Sequence, residues 1–120
     1  MKIEFSPKSR SQLDVLIELK SKETGFIFGS NTGQYKLIDS FFPIRFTKSS
    51  IKRVYPQVFN RFRDRLIGVF FINDPVFLSD WFLEQMIIDV QNQTPEIYLC
   101  RFDDGGHQKR LIPVSEKRRG

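Results

Sequence analysis

The stretch Leu66-Ile67-Gly68-Val69-Phe70-Phe71-Ile72-Asn73-Asp74-Pro75, continuing to Ser79-Asp80-Trp81-Phe82-Leu83-Glu84, decides the fold. Leu66 to Ile72 is almost unbroken apolar sequence, the pattern of a strand covered on both faces. Asn73-Asp74-Pro75 stops it, since Pro has no N–H for a ladder and Asn and Asp bond their own backbone. Ser79 or Asp80 then reads as the cap of a helix. Phe82, Leu83, Met86, Ile87 and Val90 follow at helical spacing and form a wide apolar stripe. A strand end that hands over to a helix is a favoured place for a site, because rigid elements hold the loop between them. This one carries no histidine, no cysteine and no glycine-rich loop.

Toward the N-terminus, residues 2–5 read as a short strand ended by Pro7. Ser11-Gln12-Leu13-Asp14 has the form of a capping box. Leu13, Leu16 and Ile17, with Val15 and Leu19, continue it as an amphipathic helix over 11–20. Gly25-Phe26-Ile27-Phe28-Gly29 reads as a buried strand and Asn31-Thr32-Gly33 as a turn, with residues 35–42 as the hairpin partner. Pro43 ends that strand.

Arg45, Lys48, Lys52, Arg53, Arg61, Arg63 and Arg65 make 45–65 the most basic segment, against the single acid Asp64. Tyr55-Pro56 divides it, because a proline disfavours helix in the residue before it. A helix from Pro56 is expected to bury Val58, Phe59 and Phe62 and fan the arginines over its other side. A basic run interleaved with aromatics suits phosphate contacts and base stacking. A solvated helix face balanced by acids elsewhere in space is the commoner meaning of such a run.

Beyond the helix expected at 79–90, residues 91–95 form a break and 97–102 a strand. Asp103-Asp104-Gly105-Gly106 is a hairpin turn and 108–114 the last strand. Residues 115–120, with Lys117, Arg118 and Arg119, read as a frayed basic tail. The chain of 120 residues, 40% hydrophobic and 28% charged, thus predicts one domain over 1–114. Its fold class is α/β of the α+β kind: a mixed, mostly antiparallel sheet flanked by helices.

The chemistry available is sparse. A hydrolytic zinc centre needs about three protein ligands and an open position for water. His107 is the only histidine and Cys100 the only cysteine, so no internal disulfide and no thiolate cage can form. Cys100 in an alternating strand reads as a small buried hydrophobe. A Ser-His or Cys-His pair would have to use His107. No Walker or Rossmann glycine pattern occurs. The N-terminus has no apolar signal-peptide run, and no run approaches the ~18 residues of a membrane span. These features predict a cytoplasmic protein with no cofactor and no membrane association. Net charge +5, from 19 Lys+Arg against 14 Asp+Glu, attracts nucleic acid only if the cations share a face.

Glu23-Thr24-Gly25-Phe26-Ile27-Phe28-Gly29, the hairpin ending near Pro43, and Leu66-Ile67-Gly68-Val69-Phe70 together resemble the JAB/MPN (JAMM metalloprotease-like) superfamily, from about Ser11 to Val114. In that family a helix leads into a Glu-x-x-Gly-(three apolar)-Gly strand. A later apolar-Gly-apolar-aromatic strand runs into His-x-His-Pro, followed by a Ser and an Asp at a helix start. The resemblance implies a JAB/MPN-like fold with cytidine-deaminase-like layering.

Here the two histidine positions fall on Phe71 and Asn73. The Ser and Asp positions fall on Trp81 and Glu84, or with a two-residue deletion on Ser79 and Phe82. The general-base Glu position falls on Lys22, with Glu23 one place late. The resemblance therefore implies a pseudoenzyme without metal. Phe71, Asn73, Asp74, Ser79 and Glu84 are its vestigial positions: Phe71 fills the vacated space and Asn73, Asp74 and Glu84 leave a polar rim. Phe71 as plain core and Asn73-Asp74-Pro75 as a plain turn fit the same residues. The expected role is protein association, with a second JAB/MPN-like subunit or a second copy of the chain. The alternative is a small basic nucleic-acid-binding module using Lys48, Lys52, Arg53, Arg61, Arg63 and Arg65. An enzyme built on Cys100 or His107 is a third reading.

Overall fold

The computed structural model describes residues 2–32, 34–80, 82, 85–102 and 109–114. Its central strand, β4 (Leu66–Ile72), is buried at every position. The apolar run serves two cores, with Val69 and Phe71 on one face and Phe70 and Ile72 on the other, as strand alternation requires. β2 (Glu23–Asn31) and β3 (Tyr35–Pro43) form the expected hairpin, and β2 is antiparallel to β4 on its other side. β1 (Lys2–Phe5) pairs in parallel with β3. β5 (Met86–Gln91) is parallel to β4, and β6 (Thr94–Phe102) and β7 (Lys109–Val114) follow as an antiparallel meander. The result is one mixed, mostly antiparallel seven-stranded sheet of order β1-β3-β2-β4-β5-β6-β7.

Helix α1 (Pro7–Glu18) covers one face with Leu13 and Leu16. Helix α2 (Ile51–Phe62), extended by a 3₁₀ turn at Arg63–Arg65, covers the other with Ile51, Tyr55 and Val58. Phe5 of β1 and Val114 of β7, at opposite edges of the sheet, line one groove beside α1, so the sheet is curled. The fold is α+β.

Gly68 makes the parallel β4–β5 contact possible. A Cβ there would collide with the Met86 carbonyl of the neighbouring strand, so only glycine lets the two backbones approach.

Several expectations are corrected. The helix expected from Ser79 or Asp80 through Val90 is absent among the described residues, and Met86–Gln91 is strand. Met86, Ile88 and Val90 pack toward α1 and Ile87 toward α2. Spacing of 82, 83, 86, 87 and 90 fits a helical stripe and a two-faced strand alike. The β-branched Ile87, Ile88 and Val90 tip the choice to strand, as does the hydrogen-bonding edge of β4 that would otherwise be left unpaired.

Helix α1 begins at Pro7, one turn before the supposed capping box. Ser6 is its N-cap, with Oγ accepting from the Ser9 N–H at 3.1 Å. Pro7 occupies the first helical position, where its missing N–H costs nothing. Val15 and Leu19 are exposed, so the apolar face of α1 is narrower than expected.

Helix α2 runs through Pro56 instead of starting there. The proline forfeits one bond, to the carbonyl of exposed Lys52. Phe59, expected inside, is 41% exposed. The supposed break at 91–95 is a two-residue hairpin turn, with Asn92 at φ 49° and Gln93 at φ 67° between paired Gln91 and Thr94. That is the type I′ geometry that matches strand twist. The hairpin turn at 103–106, His107 and the tail 115–120 lie outside the described residues. Among the described residues no helix is long and apolar enough to cross a membrane.

Candidate functional site

β4 delivers Phe71 into the α2-side core, where it is 0% exposed. Its ring meets Phe46 edge-on at 5.7 Å and Phe77 edge-on at 5.3 Å. Phe82, also fully buried, meets the same two rings at 6.3 Å and 5.9 Å. Phe71 and Phe82 therefore belong to one aromatic cluster, bridged by Phe46 and Phe77. No ring of that cluster offers a metal a donor. Edge-to-face packing of this kind is worth about 0.5–1.5 kcal/mol per pair beyond burial. Thr24 of β2, opposite Phe71, ties the loop after β3 to the cluster. Its Oγ1 donates to the Ile44 carbonyl at 2.9 Å and accepts from the Phe46 N–H at 3.0 Å.

Asn73 does not join that cluster. It takes a left-handed conformation, φ 52°, and its N–H donates to the Val90 carbonyl at 2.8 Å. Its side-chain amide donates to the Ser21 carbonyl at 3.4 Å and accepts from the Asn92 N–H at 3.2 Å. The Asp74 carbonyl accepts from Gln91 Nε2 at 3.0 Å. Asn73 and Asp74 thus fasten the end of β4 to the β5–β6 turn. The Ser79 carbonyl accepts from the Phe82 N–H at 3.0 Å. Glu84 lies outside the described residues.

Around Asn73 the structure forms a polar corner that the sequence reading missed. Lys20, Asn73, Gln91, Asn92 and Gln93 line a cavity of about 460 Å³. Lys20, Asn73, Asn92 and Gln93 are also the non-glycine residues with positive φ among those described. Each has a local cause: Lys20 follows the α1 C-cap Leu19, Asn73 ends a strand, and Asn92-Gln93 make the hairpin turn.

A larger groove, about 640 Å³, runs between α1 and the β6–β7 meander. Phe5, Leu13, Ile97 and Val114 contribute apolar lining, and Arg10, Glu96 and Tyr98 contribute polar groups. The Arg10 guanidinium lies 4.1 Å from the centre of the Phe5 ring. The Tyr98 hydroxyl bonds the Glu96 carboxylate, and that bond, more than burial, raises its pKa.

In the other core Tyr55 is buried, and desolvation pushes its pKa up to about 12 against a weaker opposing hydrogen bond from Gln85. Cys100 is fully buried, as the strand pattern implied. Lys48, Lys52, Arg53, Arg61, Arg63 and Arg65 are all exposed, along α2 and its flanks. Among the described residues no group of three or more His, Cys, Asp or Glu is placed to hold a metal ion.

No family model matches the chain. No curated protein matches it either. The solution structure of a protein from Salinibacter ruber (strain DSM 13855) is similar over 99% of this chain and 93% of its own length, at 12% identity and a TM-score of 0.45. The architecture itself defines an α+β domain with a curled mixed sheet and a helix on each face.

Proposed function

We propose that this is a metal-free JAB/MPN-like domain that works by protein association, pairing with a second subunit of its own kind. The observation that carries the reading is the aromatic cluster. Phe71 stands at one histidine position of the resemblance and, in the alignment with the two-residue deletion, Phe82 at the acid position. The two converge on Phe46 and Phe77. Two ligand positions drawn into one aromatic cluster through shared neighbours are consistent with a metal centre filled by apolar bulk. The β2–β4 pairing adds support: it ends at Glu23 opposite Ile72, and just beyond it the Asn73 amide donates to the Ser21 carbonyl at 3.4 Å, which brings the segment of the general-base position against the end of β4. The succession of helix α1, the glycine-bracketed strand β2 and the later strand β4 follows the part of the family pattern that precedes the site.

The pairing surface is assigned to α1. Val15 and Leu19 are 55% and 60% exposed on its outer side. Val15 also borders a shallow groove with Leu16, Phe41 and Pro43. Family members pair through helices, and an apolar outer helix face suits that use.

Two measurements test the reading. Purified protein incubated with zinc and desalted is expected to retain no stoichiometric metal and to cleave no ubiquitin-like isopeptide. Retained zinc together with cleavage overturns it. Sedimentation is expected to show a dimer that Val15→Glu with Leu19→Glu converts to monomer. An unchanged dimer moves the interface off α1.

A further inference from the structure

We propose that the surface made by α2, its 3₁₀ extension and Phe42 of β3 binds single-stranded nucleic acid. Lys52, Arg53, Arg61 and Arg63 hold phosphates, and Phe59 and Phe42 stack on bases. This is independent of the metal-free reading and of the α1 interface.

Charge is the first ground. From Arg45 to Arg65 the chain has one acid, Asp64. The basic residues of α2 and its flanks are exposed, and none is joined to a carboxylate among the described residues. Helix electrostatics accounts for only part of the pattern. Arg61 in the last turn complements the negative end of the helix dipole, but Lys52 and Arg53 lie in the first turn, which holds no acid. Cations there oppose the dipole and weaken the helix.

Exposed aromatic surface is the second ground. Phe42 is 47% exposed and Phe59 41%. Phe42 leans on Phe28 at 6.1 Å, Phe28 on Phe62 at 4.8 Å, and the Arg61 guanidinium sits 5.7 Å from the Phe62 ring centre. Phe59 lies one turn before Phe62 and stacks on Tyr55 at 6.1 Å and 15°. Buried rings thus hold the exposed ones in place. Lys52, Pro56 and Phe59 share one row of α2 at i, i+4 and i+7, and Arg63 follows just past the helix end. Flat rings beside cations along a solvent-facing row are the parts a sequence-tolerant single-strand binder uses. Bases in a duplex are already stacked and give the rings nothing to cover, so a single strand is the better partner.

The test is fluorescence anisotropy of the full chain with labelled oligouridine and oligothymidine, against duplex DNA of equal length. Single strands are expected to bind more tightly than duplex, with log affinity falling linearly in log salt. Lys52→Glu, Arg53→Glu and Arg61→Glu combined should abolish binding, and Phe59→Ala should weaken it roughly 5- to 100-fold, the value of one stacked base. Circular dichroism should report an intact fold, because every altered side chain is exposed. Any of four results overturns the proposal. These are no single-strand binding at low ionic strength, equal affinity for duplex, full affinity in Phe59→Ala, or preference for phosphatidylserine vesicles over the oligonucleotides.

Discussion

The two faces of the sheet are built from different materials. Toward α1 the core is mainly aliphatic, with Ile27, Ile38, Ile72, Ile88 and Leu99 around a few rings. Toward α2 it is mainly aromatic, with Phe26, Phe46, Phe71 and Phe82 meeting at 5–7 Å. Aliphatic side chains pack under a helix with little angular preference. Aromatic rings have preferred edge and stacked geometries, and here they fix irregular chain: the loop before α2 through Phe46, and the approach to β5 through Phe77 and Phe82. The aromatic face thus secures the segments without regular structure, while the aliphatic face leaves a groove open between α1 and β7.

The sharpest way to break that contrast is to empty one side of β4 at a time. Phe71→Ala should cost about 3–5 kcal/mol, near the upper end for a buried side chain, because Phe46 and Phe77 lose their edge contacts. Its neighbour Ile72→Ala, on the other face, should cost about 2–5 kcal/mol and loosen no loop. Urea denaturation gives both values. Hydrogen exchange on Phe46 and Phe82 distinguishes them, with faster exchange in the Phe71 variant alone. If Ile72→Ala frees those amides equally, the faces are not separate.

Gly68→Ala acts on the strand that both faces share. The added methyl meets the Met86 carbonyl, and forcing β4 from β5 should cost about 1–3 kcal/mol or more. Denaturation of Gly68→Ala against the parent chain reads it.

Ser6→Ala tests the aliphatic face at its edge. It removes the cap of α1 and should cost about 0.5–2 kcal/mol, without altering the aromatic near-ultraviolet signal.

The smallest effect is absent at neutral pH. Tyr55 ionises at about 12 in the folded chain against an ordinary 10.0. The folded state therefore holds this proton more tightly. The stability tied to it is complete below pH 10 and is lost as pH rises through 12. Absorbance titration of Tyr55→Phe against the parent should remove one late-ionising tyrosine. Ionisation of all tyrosines near 10 would show that the aromatic core admits water.

Much of the frame was legible. The β2–β3 hairpin and β4 were readable because glycine, proline and apolar runs act locally. Burial of Cys100 was readable for the same reason. The start of α1 was misplaced because Ser11-Gln12-Leu13-Asp14 imitates a cap. The real signal is Ser6-Pro7, which also reads as a strand end. Phe71 is buried bulk, while Asn73 and Asp74 tie β4 to the β5–β6 turn. The polar corner of Lys20, Asn73, Asn92 and Gln93 left no trace in sequence, because its members are assembled from three separate chain reversals.

By itself the sequence determined the elements whose signals are local: which runs are apolar enough to bury, where prolines and glycines permit a turn, and how sparse the reactive side chains are. Tertiary structure decided Met86–Gln91. Its spacing satisfies helix and strand alike, and the choice fell to the unpaired edge of β4, a partner distant in sequence that no local pattern records. It also decided which side of α2 faces water, exposing Phe59 among cations. That outcome depends on where the sheet lies beneath the helix.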